Sequence, residues 1–232
     1  MEMTEIFESS VFFGVFISLA SYTFGVWLKK RTGWALANPL LVAIILVITA
    51  LLLLGVDYDS YARGAGIISY LLTPATICLA VPLYQQVELL KKNWKAVISG
   101  ICAGVLSSLV CVLLLALLFH FDHAAYVTFL PKSITTAIGL GISEELGGYV
   151  SVSVVSIIIT GVLGNIFAEK FLKMIHIDEP IAKGIAIGTA SHAVGTAKAM
   201  EMGAVEGAMS SLSIVVSGVL TVAGASIFAM FL

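Results

Sequence analysis

Six stretches of at least twenty residues carry no charged side chain: 9–28, 32–56, 64–87, 96–121, 146–168 and 207–232. At 1.5 Å of rise per residue, each is long enough as a helix to cross a hydrocarbon layer about 30 Å thick. A water-soluble domain covers its outer face with charge, about 25% of its residues. This chain has 11%, against 59% apolar, so lipid must be the solvent for most of its surface. The expected fold is all-α: a polytopic integral membrane protein, a single domain over residues 1–232, with roughly seven or eight transmembrane helices.

Several classes drop out at once. A formal charge of −2, with no basic run longer than Lys29-Lys30-Arg31, offers no footprint for nucleic acid. Cys78, Cys102 and Cys111 sit in apolar runs without ligand spacing, so no disulfide framework, metal site or cofactor is expected. Glu2, Glu5 and Glu8 stand where a signal peptide needs basic residues, so the first apolar segment is read as a retained helix. No H-E-x-x-H occurs. Ser191 and His192 are adjacent, so on a helix they diverge by about 100° and form no dyad. An enzyme is not expected.

Two further apolar segments, 133–143 and 184–197, are too short to cross alone. The first reads as re-entrant or broken. The second becomes a span over 181–202 if Lys183 and Lys198 snorkel outward. Placing Lys29/Lys30/Arg31, Lys91/Lys92/Lys95 and Lys170/Lys173/Lys183 in the cytoplasm puts the amino terminus outside. Four crossings then lead to residue 121, none occurs between 122 and 145, and three more leave the carboxyl terminus inside. Segments 64–84 and 181–202 would then cross in opposite directions, as in an inverted repeat with halves of about 1–121 and 122–232.

Polar and helix-breaking residues at membrane depth are costly, so their clustering carries information. Pro74 and Pro82, with Thr73 and Thr76 beside them, mark a segment that would unwind and line a site. Lys132, next to Ser133, Thr135 and Thr136 after Pro131, offers a fixed cation plus amide donors of the kind a carboxylate seeks. A snorkelling interfacial lysine has the same spacing. Glu144 is either a proton carrier or a solvated residue before Gly147-Gly148. His192 lies among Ser191 and Thr196 at the centre of an apolar run, where an imidazole packs against a carbonyl or exchanges a proton. Gly184, Gly188 and Gly195 fit close helix packing.

The stretches Asn38-Pro39-Leu40-Leu41, Thr73-Pro74-Ala75-Thr76, Ala80-Val81-Pro82-Leu83-Tyr84, Leu130-Pro131-Lys132-Ser133-Ile134-Thr135-Thr136 and Gly188-Thr189-Ala190-Ser191-His192-Ala193-Val194-Gly195-Thr196 closely resemble the LrgB/CidB family of bacterial membrane proteins. The resemblance runs from about residue 10 to the end. Where the family has a proline after the Thr-Thr pair, this chain has Ala137. It implies two functions. One is an antiholin- or holin-like modulator of murein hydrolase activity and autolysis. The other is transport of small monocarboxylates (glycolate, glycerate, pyruvate), as in the related plastidic glycolate/glycerate translocator. It also implies the bacterial cytoplasmic membrane and a small LrgA/CidA-type membrane partner; a homodimer is a further expectation.

The reading that joins residues and resemblance is a proton-coupled secondary transporter. Thr73, Thr76, Lys132, Ser133, Thr135, Thr136, Ser191, His192 and Thr196 would hold the carboxylate between helices broken at Pro39, Pro74, Pro82 and Pro131. His192 or Glu144 would carry the proton. A holin needs little beyond apolar helices that associate, whereas these residues concentrate cation and donor groups in the membrane.

Overall fold

In the computed structural model the described residues are 12–34, 37–78 and 80–232, the side chains of Leu72, Thr73 and Thr76 excepted. All regular structure among them is helical. The chain divides into two compact units, Met1–Cys78 and Leu79–Leu232.

The first unit holds α1 (Phe13–Thr32), α2 (Pro39–Leu54), α3 (Tyr58–Tyr70) and α4 (Leu72–Cys78). Lys29, Lys30 and Arg31 occupy the last turn of α1, which ends at Gly33 in the left-handed region (φ 66°). Asn38 caps α2, its side-chain oxygen accepting from Leu40 N at 2.9 Å. Pro39 takes the first helical position, where its missing N–H has no intrahelical acceptor anyway. It therefore starts a helix instead of breaking one. Gly25 lets α1 approach that start, since a Cβ there would lie 2.8 Å from the Pro39 backbone.

The second unit holds α5 (Ala80–Gln85), α6 (Val87–Leu118), α7 (His123–Phe129), α8 (Thr136–Glu145), α9 (Val150–Met174), α10 (Pro180–Met202) and α11 (Ala204–Phe228), with a closing 3-10 turn, Ala229–Phe231. Three of these, α6, α9 and α11 with its closing turn, are long and apolar enough to cross a membrane.

Two expected spans are corrected. Segment 64–87 is not one unbroken helix: α3 ends at Tyr70 and a turn at Leu71 precedes α4. Pro74 is the third residue of α4, a first-turn position that tolerates a proline, and Pro82 lies within α5.

Segment 181–202 is not a single crossing helix. His192 has φ 42° and ψ −144°, outside helical space, and the chain turns back there. Lys183 and Met202 line one cavity of about 240 Å³, whereas 19 residues of straight helix would separate them by about 28 Å. A Cβ on Gly195 would lie 3.1 Å from Ile187, and Ile187 and Ala199 share one apolar cluster. Residues 180–191 and 193–202 are thus antiparallel legs of a hairpin.

Residues 123–145 form a second hairpin. A Cβ on Gly139 would lie 3.4 Å from Pro131. Thr128 and Ser143 meet through Ser153, whose hydroxyl reaches Thr128 O at 2.8 Å and Ser143 Oγ at 2.7 Å. As the chain recedes from Pro131 to Thr128, its neighbours advance from Gly139 to Ser143, which is antiparallel pairing about a tip at 130–135. Tyr149 N also donates to Thr128 Oγ1 at 2.8 Å, so the buried hydroxyls that pin this hairpin are partnered.

The hairpins enter the unit from opposite ends. The 123–145 hairpin shares its end with the carboxyl terminus of α11, where Tyr126 OH donates to Phe228 O at 3.0 Å. The 180–202 hairpin shares the other end with the start of α6, because Asn93, Glu179 and Ile181 line one cleft. That end carries Lys91, Lys92, Lys95, Lys170, Lys173, Lys183 and Lys198, every lysine of the unit except Lys132.

Candidate functional site

The long helices show where the two tips stand. Along α6, Gly100 faces Ile185 (3.4 Å for an added Cβ), Gly104 faces Thr189 (2.9 Å), and Ser108 accepts from Lys132 Nζ at 3.4 Å. Ascending α6 by single turns thus follows the first leg of the 180–202 hairpin and then reaches the tip of the other. On α9, Ile157 plays the same part. Its side chain fills the space beside Gly139, and its carbonyl accepts from His192 Nε2 at 3.0 Å. Both tips therefore gather within about one helical turn, roughly 6 Å, of a common level inside the unit.

At the first tip Lys132 Nζ donates to Ser133 Oγ at 3.0 Å, and Ser133 Oγ lies 3.1 Å from Ser108 Oγ. Among the described residues no carboxylate lies within 4.0 Å of this ammonium, although the five lysine–carboxylate pairs elsewhere are that close. Thr135 is the N-cap of α8, and its side chain accepts no capping bond. The first-turn amides, beginning at Thr136, thus keep their donors beside the lysine. Ala137 is the second residue of α8, so the helix starts here without a proline at 137.

At the second tip two glycines of α9 make room for the turn. Gly161 accommodates the His192 ring, which would lie 2.6 Å from an added Cβ, and Gly164 accommodates the Ser191 side chain. Carbonyls freed by the reversal are served from neighbours. Asn165 Nδ2 donates to Val194 O at 2.8 Å, and Thr196 Oγ1 donates to His192 O at 2.9 Å while touching Ser210 Oγ at 2.7 Å. Because a carbonyl only accepts, His192 bears its proton on Nε2 and leaves Nδ1 as the acceptor face.

The expected site residues thus fall into groups. Lys132, Ser133, Thr135 and Thr136 form one tip; Ser191, His192 and Thr196 belong to the other. Pro131 sits buried in the first tip's turn. Glu144 is exposed in the last turn of α8, at the base of its hairpin and away from the tip. Thr73 and Thr76 belong to α4 in the other unit, and their side chains lie outside the described set. Ser108 and Asn165 were not among the expected site residues. Each is a polar residue in an otherwise apolar span, and that was the signal available.

Near the base of the 180–202 hairpin, Lys198 Nζ reaches Glu169 at 2.9 Å and Glu201 at 3.4 Å, and Glu169 also pairs with Lys173 at 3.0 Å. These contacts tie the second leg to α9 at the lysine-rich end.

Long apolar helices that enclose two folded-back hairpins define an α-helical membrane protein. The chain belongs to the LrgB-like family, whose model matches residues 18–231. It is 42% identical over 214 residues to the antiholin-like protein LrgB of Bacillus subtilis, covering 92% of this chain and 93% of that one. It is 40% identical over 222 residues to proteins of the same name in Bacillus mycoides and Bacillus cereus, covering 95% of this chain and 96% of theirs. No solved structure matches.

Proposed function

We propose that the protein carries small monocarboxylates such as glycolate, glycerate or pyruvate across the bacterial cytoplasmic membrane, with Lys132 as the group that neutralises the carboxylate. One observation carries this reading: an ammonium without a carboxylate partner among the described residues, held by Ser108 and Ser133 at the level where two oppositely entering hairpins meet. A charge so placed is costly to desolvate, and a bound anion offsets that cost. The amides at the start of α8 supply further donors to the same oxygens. His192, with Nδ1 free of the Ile157 bond, is the candidate proton site; Glu144 is the weaker one by position. By the positive-inside rule the seven-lysine end of the second unit faces the cytoplasm. Because 180–202 folds back, the carboxyl terminus then lies outside, and a reporter fused after Leu232 tests this.

The relatives' names favour a second reading, an antiholin-like modulator of murein hydrolase activity and autolysis, and speak for it more directly than for transport. The two differ in what purified protein does in sealed liposomes. A carrier exchanges labelled glycolate or pyruvate, with or without an LrgA-type partner, and retains a trapped dye. A holin-like protein releases the dye and is indifferent to Lys132→Met. Dye release without saturable exchange would overturn the carrier reading.

A further inference from the structure

A cleft of about 500 Å³ runs between α6 and the first leg of the 180–202 hairpin. It begins at the lysine-rich end, beside Asn93 and Glu179, and ends at Gly104 and Thr189. One turn beyond Gly104 stands Ser108, which holds Lys132. We infer that this cleft is the water-filled path by which a small carboxylate passes between the lysine-rich face and Lys132. The inference rests on the carrier reading and adds to it the route and the residues that set its width.

Three observations carry it. The walls are small side chains, Ala96, Gly100, Ala182 and Ala186 among them, so a groove stays open beside the line where Gly100 and Gly104 meet Ile185 and Thr189. At about 30 Å³ per molecule the space holds on the order of sixteen waters. Polar groups stand at both ends, Asn93 and Glu179 at the mouth and Thr189 at the floor, with small apolar side chains between them. Finally, Lys91, Lys92 and Lys95 occupy the opening turns of α6, and Lys91 pairs with Glu88 at 3.3 Å, which leaves Lys92 and Lys95 to draw anions towards the mouth. At the floor the width is set by Gly104, where a Cβ would meet Thr189 Oγ1 at 2.9 Å.

The test is side-specific cysteine labelling. In a chain carrying Cys78→Ser, Cys102→Ser and Cys111→Ser, Ala186→Cys probes the cleft and Lys92→Cys marks the lysine-rich face. An anionic, membrane-impermeant thiosulfonate is applied to oriented vesicles. The expected result is that Ala186→Cys reacts from the same face as Lys92→Cys, and that its modification lowers uptake to that of protein-free vesicles. Glycolate or pyruvate at ten times its Kd should slow the labelling about tenfold, since the rate falls as 1 + [L]/Kd. Reaction only with a lipid-soluble maleimide, or only from the opposite face, overturns the path while leaving measured flux to stand. Labelling without protection by either acid overturns the carboxylate as its solute. Uptake by the unlabelled Ala186→Cys protein, measured first, shows that the variant is folded.

Discussion

Replacing Lys132 by methionine removes the charge and keeps most of the volume. The carboxylate then loses a partly buried, hydrogen-bonded cation, a truncation that costs about 2–5 kcal/mol. That corresponds to roughly 30-fold to several-thousand-fold weaker binding, at about 1.4 kcal/mol per decade. Folding responds differently. The substitution gives up the bonds to Ser133 at 3.0 Å and Ser108 at 3.4 Å. It also removes an ammonium whose desolvation costs several kcal/mol, and no carboxylate among the described residues is orphaned. The apparent melting temperature in detergent should therefore hold or rise while binding and uptake fall by at least about 30-fold. Titration calorimetry with glycolate, proteoliposome uptake and a thermal-unfolding scan on one preparation separate the two quantities. Unchanged uptake would refute the assignment of Lys132. So would a collapse of stability with normal uptake per folded molecule, because the lysine would then be a structural group.

Three further outcomes follow from the second tip and from the first unit. Asn165→Ala strips Val194 O of the amide that reaches it at 2.8 Å and should cost about 1–3 kcal/mol of stability, measured by denaturant or thermal unfolding, with Asn165→Asp failing to restore it. Gly164→Ala drives a methyl into Ser191 and should cost about 1–3 kcal/mol; adding Ser191→Gly should recover part of the loss, and strict additivity of the two would contradict the packing described. Asp57 caps α3 outside the spanning segments. Its pKa lies below the usual 3.8, chiefly through the Ser60 backbone N–H, then the Ser60 hydroxyl, with Arg63 adding a smaller pull. A lowered carboxylate pKa means that this contribution is present above pH 3.8 and lost as pH falls through the folded-state value, so Asp57→Asn should flatten the acid limb of a stability–pH curve.

The long spans were legible because lipid permits no charge, and α6, α9 and α11 lie within or around uncharged stretches. The re-entrant or broken character of 133–143 was legible too, because that uncharged segment is too short to cross and follows a proline at 131. Residues 180–202 misled for an identifiable reason. Apolar periodicity is the same for a straight helix and for two legs folded together, so Lys183 and Lys198 were sent to opposite faces although they line one cavity. The reversal occurs at a histidine with positive φ, a conformation that the neighbouring Gly188 and Gly195 did not signal. Its support lies on α9, in Gly161, Gly164 and Asn165, and no spacing within one helix announces a partner on another. Likewise Ser108 reads as a packing residue until Lys132 is seen against it. Charge and helix length were thus written locally, whereas the site arises where separate helices meet.

Transport through Lys132 requires α10 to turn back at His192 so that its tip reaches the level of Lys132. Spin labels at Lys183→Cys and Met202→Cys, in a background with the three native cysteines replaced by serine, measure this by pulsed dipolar spectroscopy. The hairpin gives a short separation, with backbones roughly 10 Å apart as in adjacent packed helices. A distance near 28 Å, that of a straight helix, would contradict it.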